Sequence, residues 1–221
     1  LIFPAMLHGR KDADNQYILP KNVPAHEFLN LEGKKFSKSR NWSIDLKDFI
    51  ESHPEPDKID ALRYALAMNF PETRDADFTW KDYQARNNNE LASILGNFVN
   101  RLMTFLHKNF GGKVPQLSGK YIPLLDYWNS GKDAELEPND KAVIDALKFG
   151  VKRVSENYEK FRFRDAITES MNIARAANKY FNDEEPWKSI KADEEQAAKT
   201  MFVCCQLVRS LSIVLAPIIP Y

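Results

Sequence analysis

From about residue 80 onwards the chain repeats one pattern, in which apolar residues recur at helical spacing over four successive stretches. Leu91, Ile94, Leu95, Phe98, Leu102, Phe105 and Leu106 make the first stripe, closed by Gly111-Gly112. Val143, Ile144, Leu147, Val151 and Val154 make the second, opened by Pro138-Asn139-Asp140. Phe163, Ile167, Met171, Ile173, Ala174 and Ala177 make the third, running to about Tyr180. Met201, Leu207, Val208, Leu211 and Val214 make the fourth, from about Asp193 to Leu215. A period near 3.6 residues puts each set on one face of an α-helix, and that face has to be buried against another element. The pattern therefore predicts a mainly α protein built on a helical bundle. No unit recurs at a fixed period, which excludes a solenoid. Residues 114 to 130, with Pro115, Gly119 and Pro123, read as a surface connection with some local turns.

The first 56 residues are different in kind. Residues 1 to 9 fit a helix tail closed by Gly9, and 11 to 16 are polar and loop-like. Tyr17 to Pro20 and Glu27 to Asn30 are short strand candidates, too sparse for a domain. After the breakers Pro54-Glu55-Pro56, the spacing of Ile59, Leu62, Leu66 and Phe70 predicts a helix of three to four turns, ended by Pro71. The division that follows is 1–56, 57–80 and 81–221. The chain opens at Leu1 without an initiator Met and stops just past Pro217 and Pro220, so a piece of a longer protein is expected.

Totals narrow the function classes. The 31 basic and 31 acidic residues cancel, so any nucleic-acid binding must come from local patches. Cys204 and Cys205 are adjacent, which points to a reducing compartment, no disulfide and no bound metal. The apolar run 207–219 is interrupted by Arg209, Ser210, Ser212 and Pro217, short of the ~20 residues of a membrane span. The start lacks the layout of a signal peptide. A cytoplasmic protein without a membrane partner is expected.

Three local patches carry chemistry. Lys34-Lys35-Phe36-Ser37-Lys38-Ser39-Arg40, directly after Gly33, gathers four cations and two hydroxyls. It reads as a mobile loop that could grip a polyphosphate through charge and hydrogen bonds, or as an ordinary basic surface loop. Asn97 and Arg101, spaced i and i+4, share one helix edge beside the apolar stripe. That edge either reads an unpaired base or is merely solvated. Trp187 follows Asn182-Asp183-Glu184-Glu185-Pro186 and is placed on an interhelical turn, where it plugs the bundle end or offers a face for a base to stack on. His8 and His26 lack partner residues and read as loop histidines.

The wording of these patches resembles a known family. Lys35-Phe36-Ser37-Lys38-Ser39, flanked by Asn30-Leu31-Glu32-Gly33-Lys34 and Arg40-Asn41, is similar to the KMSKS loop of class I aminoacyl-tRNA synthetases, with Phe36 in place of Met. Asn97-Phe98-Val99-Asn100-Arg101, and Ala177-Asn178-Lys179-Tyr180 with Glu185-Pro186-Trp187, resemble the anticodon-binding helix and the A-N-x-Y…P-W turn of methionyl-tRNA synthetases. The resemblance implies that 1–56 is a small α/β remnant of a Rossmann catalytic domain carrying the loop. It implies that 57–80 is the stem-contact linker helix and that 81–221 is the anticodon-binding bundle. It implies ATP, held with magnesium, at Lys35, Phe36, Ser37, Lys38 and Ser39. Lys38 would neutralise departing pyrophosphate, with Lys35 and Ser39 assisting. Methionine tRNA would be read at its CAU anticodon by Asn97 and Arg101, with Trp187 stacking beside Pro186. Asn182 stands where an acidic residue is expected, which leaves its contact open. A HIGH-type motif, a methionine pocket and the cysteines of the family's zinc knuckle are missing, so zinc is expected only elsewhere in the parent. The chain alone is expected not to aminoacylate. The alternatives are a class I synthetase for leucine, valine, isoleucine or cysteine, or a helical protein-interaction domain with no RNA role.

Overall fold

A computed structural model of the chain describes residues 2–10, 18–131 and 136–220. Helix α1, Ile2–His8, is followed by the first strand, β1, Leu29–Leu31. The proposed polar loop at 11–16 and Tyr17 lie outside the described residues. Residues 18–20 form no strand: Ile18 is 96% exposed, and among the described residues no strand pairs with them to take up their N–H and C=O groups. The second strand candidate is present, shifted by a residue or two toward Leu31.

β1 is the centre of a three-stranded sheet. It runs antiparallel to β2, Lys34–Lys35, and parallel to β3, Ala76–Phe78, in the order β2-β1-β3. Asn30 faces Lys35 and Leu31 faces Lys34 across the hairpin, while Leu29 to Leu31 align with Ala76 to Phe78. Between them come α2, Leu46–Ser52, capped by the Asp45 carboxylate, and α3, Pro56–Met68. Proline at the start of α3 is at home there, since the first turn has no use for its missing N–H.

Helix α3 joins the two halves because both of its faces are buried. Leu62 and Ala65 pack with Leu31 and Phe78 of the sheet, and Tyr64 packs with Ile167, Met171 and Ile218 of the bundle. Arg63 adds a staple, donating from Nε to the Ile218 carbonyl at 2.8 Å and from Nη2 to that of Pro217 at 3.1 Å.

The first predicted bundle helix is three segments in one rod. Helix α4, Trp80–Arg86, leads into a π-helix, Asn87–Gly96, and this into α5, Asn97–Phe110. Gly111 ends the rod in the left-handed region (φ 59), where a side chain would be strained. The remaining helices are α6, Ile122–Ser130; α7, Pro138–Glu159; α8, Phe163–Asp183; α9, Pro186–Ala192; and α10, Glu194–Leu215. The core gathers Phe98, Leu102, Ile144, Ala174, Ala177 and Leu207 from α5, α7, α8 and α10. Helices α7 and α8 pack closely at Gly150, where an added Cβ would come within 2.6 Å of Ile173.

Two sequence expectations are corrected here. Residues 114–130 are not a plain connection: a 3₁₀ turn, Gly119–Tyr121, runs into α6, which buries Leu124 and Tyr127. Pro123 breaks nothing, because it falls in the first turn. The break at Pro186 is likewise the start of α9, so Trp187 stands in a helical first turn and not on an irregular one. By length and composition alone α10 could cross a membrane, being longer than the apolar run 207–219. Its buried side chains, Lys199 among them, lie inside the bundle and make it a core helix.

Candidate functional site

The basic tract folds into a tight hairpin and a turn, a more regular form than the mobile loop expected. Glu32 (φ 50) and Gly33 (φ 74) make the two-residue connection that the right-handed twist of a hairpin favours. The Gly33 N–H donates to both oxygens of Asp77, at 2.8 and 2.9 Å, and Glu32 Oε1 accepts the Trp80 N–H at 2.8 Å. Beyond β2 the chain makes a 3₁₀ turn, Lys38–Arg40, closed by paired backbone bonds between Ser37 and Trp42. The Trp42 indole donates to the Leu31 carbonyl at 2.9 Å, fixing the turn to the sheet. Phe36 points inward against the cluster of Leu31, Leu62 and Phe78, as an apolar residue at that place should.

The cations point outward. Lys34, Lys35, Lys38 and Arg40 are exposed, and among the described residues none forms an ion pair. Lys34 Nζ lies 5.0 Å from the centre of the Trp42 ring, and Lys35 Nζ 5.3 Å from that of Phe28. The Ser37 and Ser39 hydroxyls sit 3.2 Å apart. Unpaired cations and paired hydroxyls on a hairpin held at three points are suited to an anionic ligand such as a polyphosphate. Among the described residues no group of three or more His, Cys, Asp or Glu side chains is arranged to hold a metal.

The second site lies at the other end of the bundle. Arg101 on α5 is its hub: its guanidinium donates to Asn182 Oδ1 at 2.8 Å and lies over the rings of Phe181, at 4.6 Å, and Trp187, at 5.8 Å. The two rings are 6.1 Å apart and tilted by 41°. Phe181 is buried, whereas Trp187 is 41% exposed and does not plug the core. Arg101, Phe181 and Trp187, with Asn100, Thr104, Phe105 and Lys108, line an open cleft of about 280 Å³. Pro186, at the start of α9, is buried. Asn97 is exposed one turn toward the start of α5, on the same edge but outside the cleft wall. The structure thus brings Arg101, Asn182, Pro186 and Trp187 together and leaves Asn97 beside them. Sequence reasoning missed Phe181, Thr104 and Lys108. Thr104 and Lys108 follow Arg101 at helical spacing and could have been read from it; Phe181 continues the stripe of α8 four residues after Ala177, so its burial was legible but not its place under Arg101.

Two features hold this cleft in shape. The Asn178 side chain donates to the carbonyls of Ala174, at 3.1 Å, and of Ile94 in the π-helix, at 2.9 Å, tying α8 to the rod just ahead of Asn97. A π-helix leaves carbonyls off the regular ladder, and Asn178 takes one of them up. Behind Trp187 lies a buried ionic cluster. Lys199 Nζ is 2.8 Å from Asp140 Oδ2, 2.7 Å from Glu137 and 3.7 Å from Glu184. Tyr180 donates to Asp140 at 2.6 Å, and Asn139 and Gln196 donate to Glu184 at 3.0 and 3.1 Å. Burial acts to lower the pKa of Lys199, but hydrogen bonds to Asp140 and Glu137 outweigh it and hold the ammonium above its ordinary value. Glu184 is thereby fixed between Asn182 and Pro186-Trp187. Glu185 follows in a left-handed conformation (φ 43) that turns the chain into α9. The His26 ring packs edge-on against Phe70 at 4.6 Å, and His8 is exposed at the end of α1.

A basic hairpin on a remnant sheet, joined through one helix to a bundle with an aromatic and cationic end cleft, is the layout of a class I tRNA synthetase, and the family model for class I (M) tRNA synthetases matches residues 1–103. The model for the anticodon-binding domain of methionyl-tRNA ligase matches 131–221. The whole chain aligns with methionine--tRNA ligases of Christiangramia forsetii, at 47% identity, and Flavobacterium psychrophilum, at 45%. It covers 29% of the length of each. Among solved structures, methionyl-tRNA synthetase of Mycobacterium tuberculosis bound by methionyl-adenylate matches with a TM-score of 0.72 and 26% identity, over 89% of this chain and 35% of that one. The chain belongs to the methionyl-tRNA synthetase family.

Proposed function

We propose that this chain is the part of a methionine–tRNA ligase that supplies the pyrophosphate-binding loop and reads the anticodon of methionine tRNA. The observation that carries the reading is the cleft at the bundle end: one guanidinium, one amide and one half-exposed indole converge there, and such groups recognise unpaired bases by edge and by stacking. Trp187 is the stacking platform. Arg101, oriented by Asn182, and Asn97 one turn away contact base edges. Residues 1–56 carry the loop, 57–80 link it and 81–221 read the tRNA.

At the hairpin, Lys38 and Lys35 neutralise the charge that develops as pyrophosphate leaves, and Ser37 and Ser39 donate hydrogen bonds to the phosphate oxygens. Magnesium rides on the ATP phosphates. Methionine and zinc belong to the rest of the parent enzyme, which works in the cytoplasm, and this chain alone does not charge tRNA. The family match disfavours another amino-acid specificity or a pure protein-interaction role.

The test is binding of the chain to a CAU anticodon stem-loop and to a scrambled-loop control, with Trp187→Ala alongside. Loss of stacking is worth about 1–3 kcal/mol, so the variant should lose most of the preference for CAU. Equal binding of the two RNAs by the unsubstituted chain refutes anticodon reading.

A further inference from the structure

We propose that Asn178 is a positioning residue for anticodon reading, which acts through the π-helix by setting how far the start of α5 is turned toward the Trp187 cleft; the proposal rests on the anticodon reading above. The π-helix, Asn87–Gly96, ends where α5 begins, so its register decides the direction of the side chains that follow. A π-helix turns about 80° per residue, as its i→i+5 ladder requires, against about 100° in an α-helix. Each residue that returned to the α ladder would swing α5 by roughly 20°. At about 6 Å from the helix axis that moves a side-chain tip by about 2 Å, enough to break the 2.8 Å bond from Arg101 to Asn182. The apolar stripe of Phe98, Leu102 and Leu106 does not forbid such a swing, because a stripe of this kind is about 100° wide or more.

The composition of the segment does not explain its geometry. Stretches of π-helix are mostly single turns, and this one is 10 residues long. Glu90, Leu91, Ala92 and Leu95 are good α formers, so the wider register has to be held by particular contacts. Ser93 Oγ donates to the Asn88 carbonyl, five residues back, at 2.7 Å. Gly96 leaves room for the ladder, since an added Cβ would stand 3.1 Å from the Leu91 carbonyl oxygen, also five residues back. Tyr64 of α3 bonds to Glu90 near the start of the segment. At its end the N–H of Asn97 closes on the carbonyls of Ala92 and Ile94. The Ile94 carbonyl is the one that accepts the Asn178 amide at 2.9 Å. Asn178 and the first residue of α5 thus hold the same oxygen.

Asn178 also lies where it can act on the cleft. It stands one turn ahead of Asn182 on α8 and shares its face. Helix α8 therefore grips the rod twice, from Asn178 to Ile94 just ahead of α5 and from Asn182 to Arg101 within it. Two ties from one helix face fix both the advance and the turn of the rod, whereas the Arg101 tie alone leaves its turn free. Asparagine is a poor helix former, and the half-buried Asn178 commits its amide to the Ile94 and Ala174 carbonyls. It does not line the cleft, so its route to the RNA runs through Ile94 and the start of α5.

The experiment compares binding of the chain to a CAU anticodon stem-loop and to a scrambled-loop control, well below the melting temperature. Asn178→Leu keeps the size of the side chain and removes the amide. It should lower the preference for CAU by about tenfold, the worth of one hydrogen bond from a charged donor to a base edge, and leave affinity for the control unchanged. Ser93→Ala, an exposed change that is safe for the fold, frees the Asn88 carbonyl and should lower the preference by about threefold. Ile144→Val, a core change in α7 that touches neither tie, should lower stability and leave the preference intact. A preference unchanged in both Asn178→Leu and Ser93→Ala overturns the positioning role and spares the anticodon reading. An equal drop in Ile144→Val makes the loss one of stability and also overturns it. Equal binding of the two RNAs by the unsubstituted chain refutes the anticodon reading and takes this proposal with it.

Discussion

Replacing Lys199 by Met tests whether the buried ionic cluster holds the Trp187 turn. The substitution nearly preserves length and apolar stem and removes only the charge. Lys199 and Asp140 are each 2% exposed at the side chain, with 2.8 Å between them, so Asp140 loses its one buried cation. Leaving such a carboxylate uncompensated costs about 3–5 kcal/mol. Asp140 keeps the Tyr180 hydroxyl at 2.6 Å, which places the expected loss toward the lower end. The contact to Glu137 adds little, since that side chain is 53% exposed. Each kcal/mol lowers the melting temperature of a chain of this size by about 2–4 °C, so a drop on the order of 10 °C is expected. Thermal unfolding followed by circular dichroism reads it directly. Asp140→Asn added to Lys199→Met should recover at least half of the loss, because the stranded charge is gone. A single-variant loss below about 1 kcal/mol, or a double variant no better than the single, would refute the view that this pair is a buried charge compensated only within the cluster.

Three further outcomes follow from the packing and the sites. Gly150→Val forces side-chain atoms into Ile173, 2.6 Å from the position of the new Cβ; overpacking of this kind should cost about 1–3 kcal/mol in urea unfolding, and no loss would mean that α7 and α8 can separate there. Arg101→Lys keeps the charge but loses the planar fork that bonds Asn182 and covers two rings; affinity for a CAU stem-loop should fall by about tenfold, measured by titration, with little change in stability. The pH dependence has a definite sign. The hydrogen bond from Lys199 holds Glu137 below its ordinary pKa of 4.5, and the Asn69 and Arg86 side chains outweigh the effect of burial to do the same for Asp82. Both contributions are present above the ordinary carboxylate range and are lost as pH falls through the lower folded values, so the urea midpoint should drop on acidification below about pH 4.5.

The sequence alone determined the parts of this protein that depend on local periodicity and on short motifs. The stripes at 91–106, 143–154, 163–177 and 201–214 become buried faces, because a 3.6-residue repeat leaves a helix no other way to hide its apolar side. Asp193 and Gly111 end their helices where capping chemistry places them. The basic tract and the Pro-Trp turn were legible as words. What the sequence could not give was partnership between distant residues. Local cues pointed to a break at Pro123 and Pro186, yet each proline opens a short helix, because burial of Leu124 and Tyr127, and the tether on Glu184, outweigh a loop-like composition. Phe181 becomes the floor of the cleft only because α8 sets it under an arginine on α5. The ammonium of Lys199, which reads as a stray charge in an apolar helix, finds Asp140 of α7, Glu137 just ahead of it and Glu184 just past α8 only when three helices pack. Helical faces are written residue by residue along the chain. The pairing of one face's polar groups with another's is a property of the packed bundle, where low dielectric makes each such choice decisive.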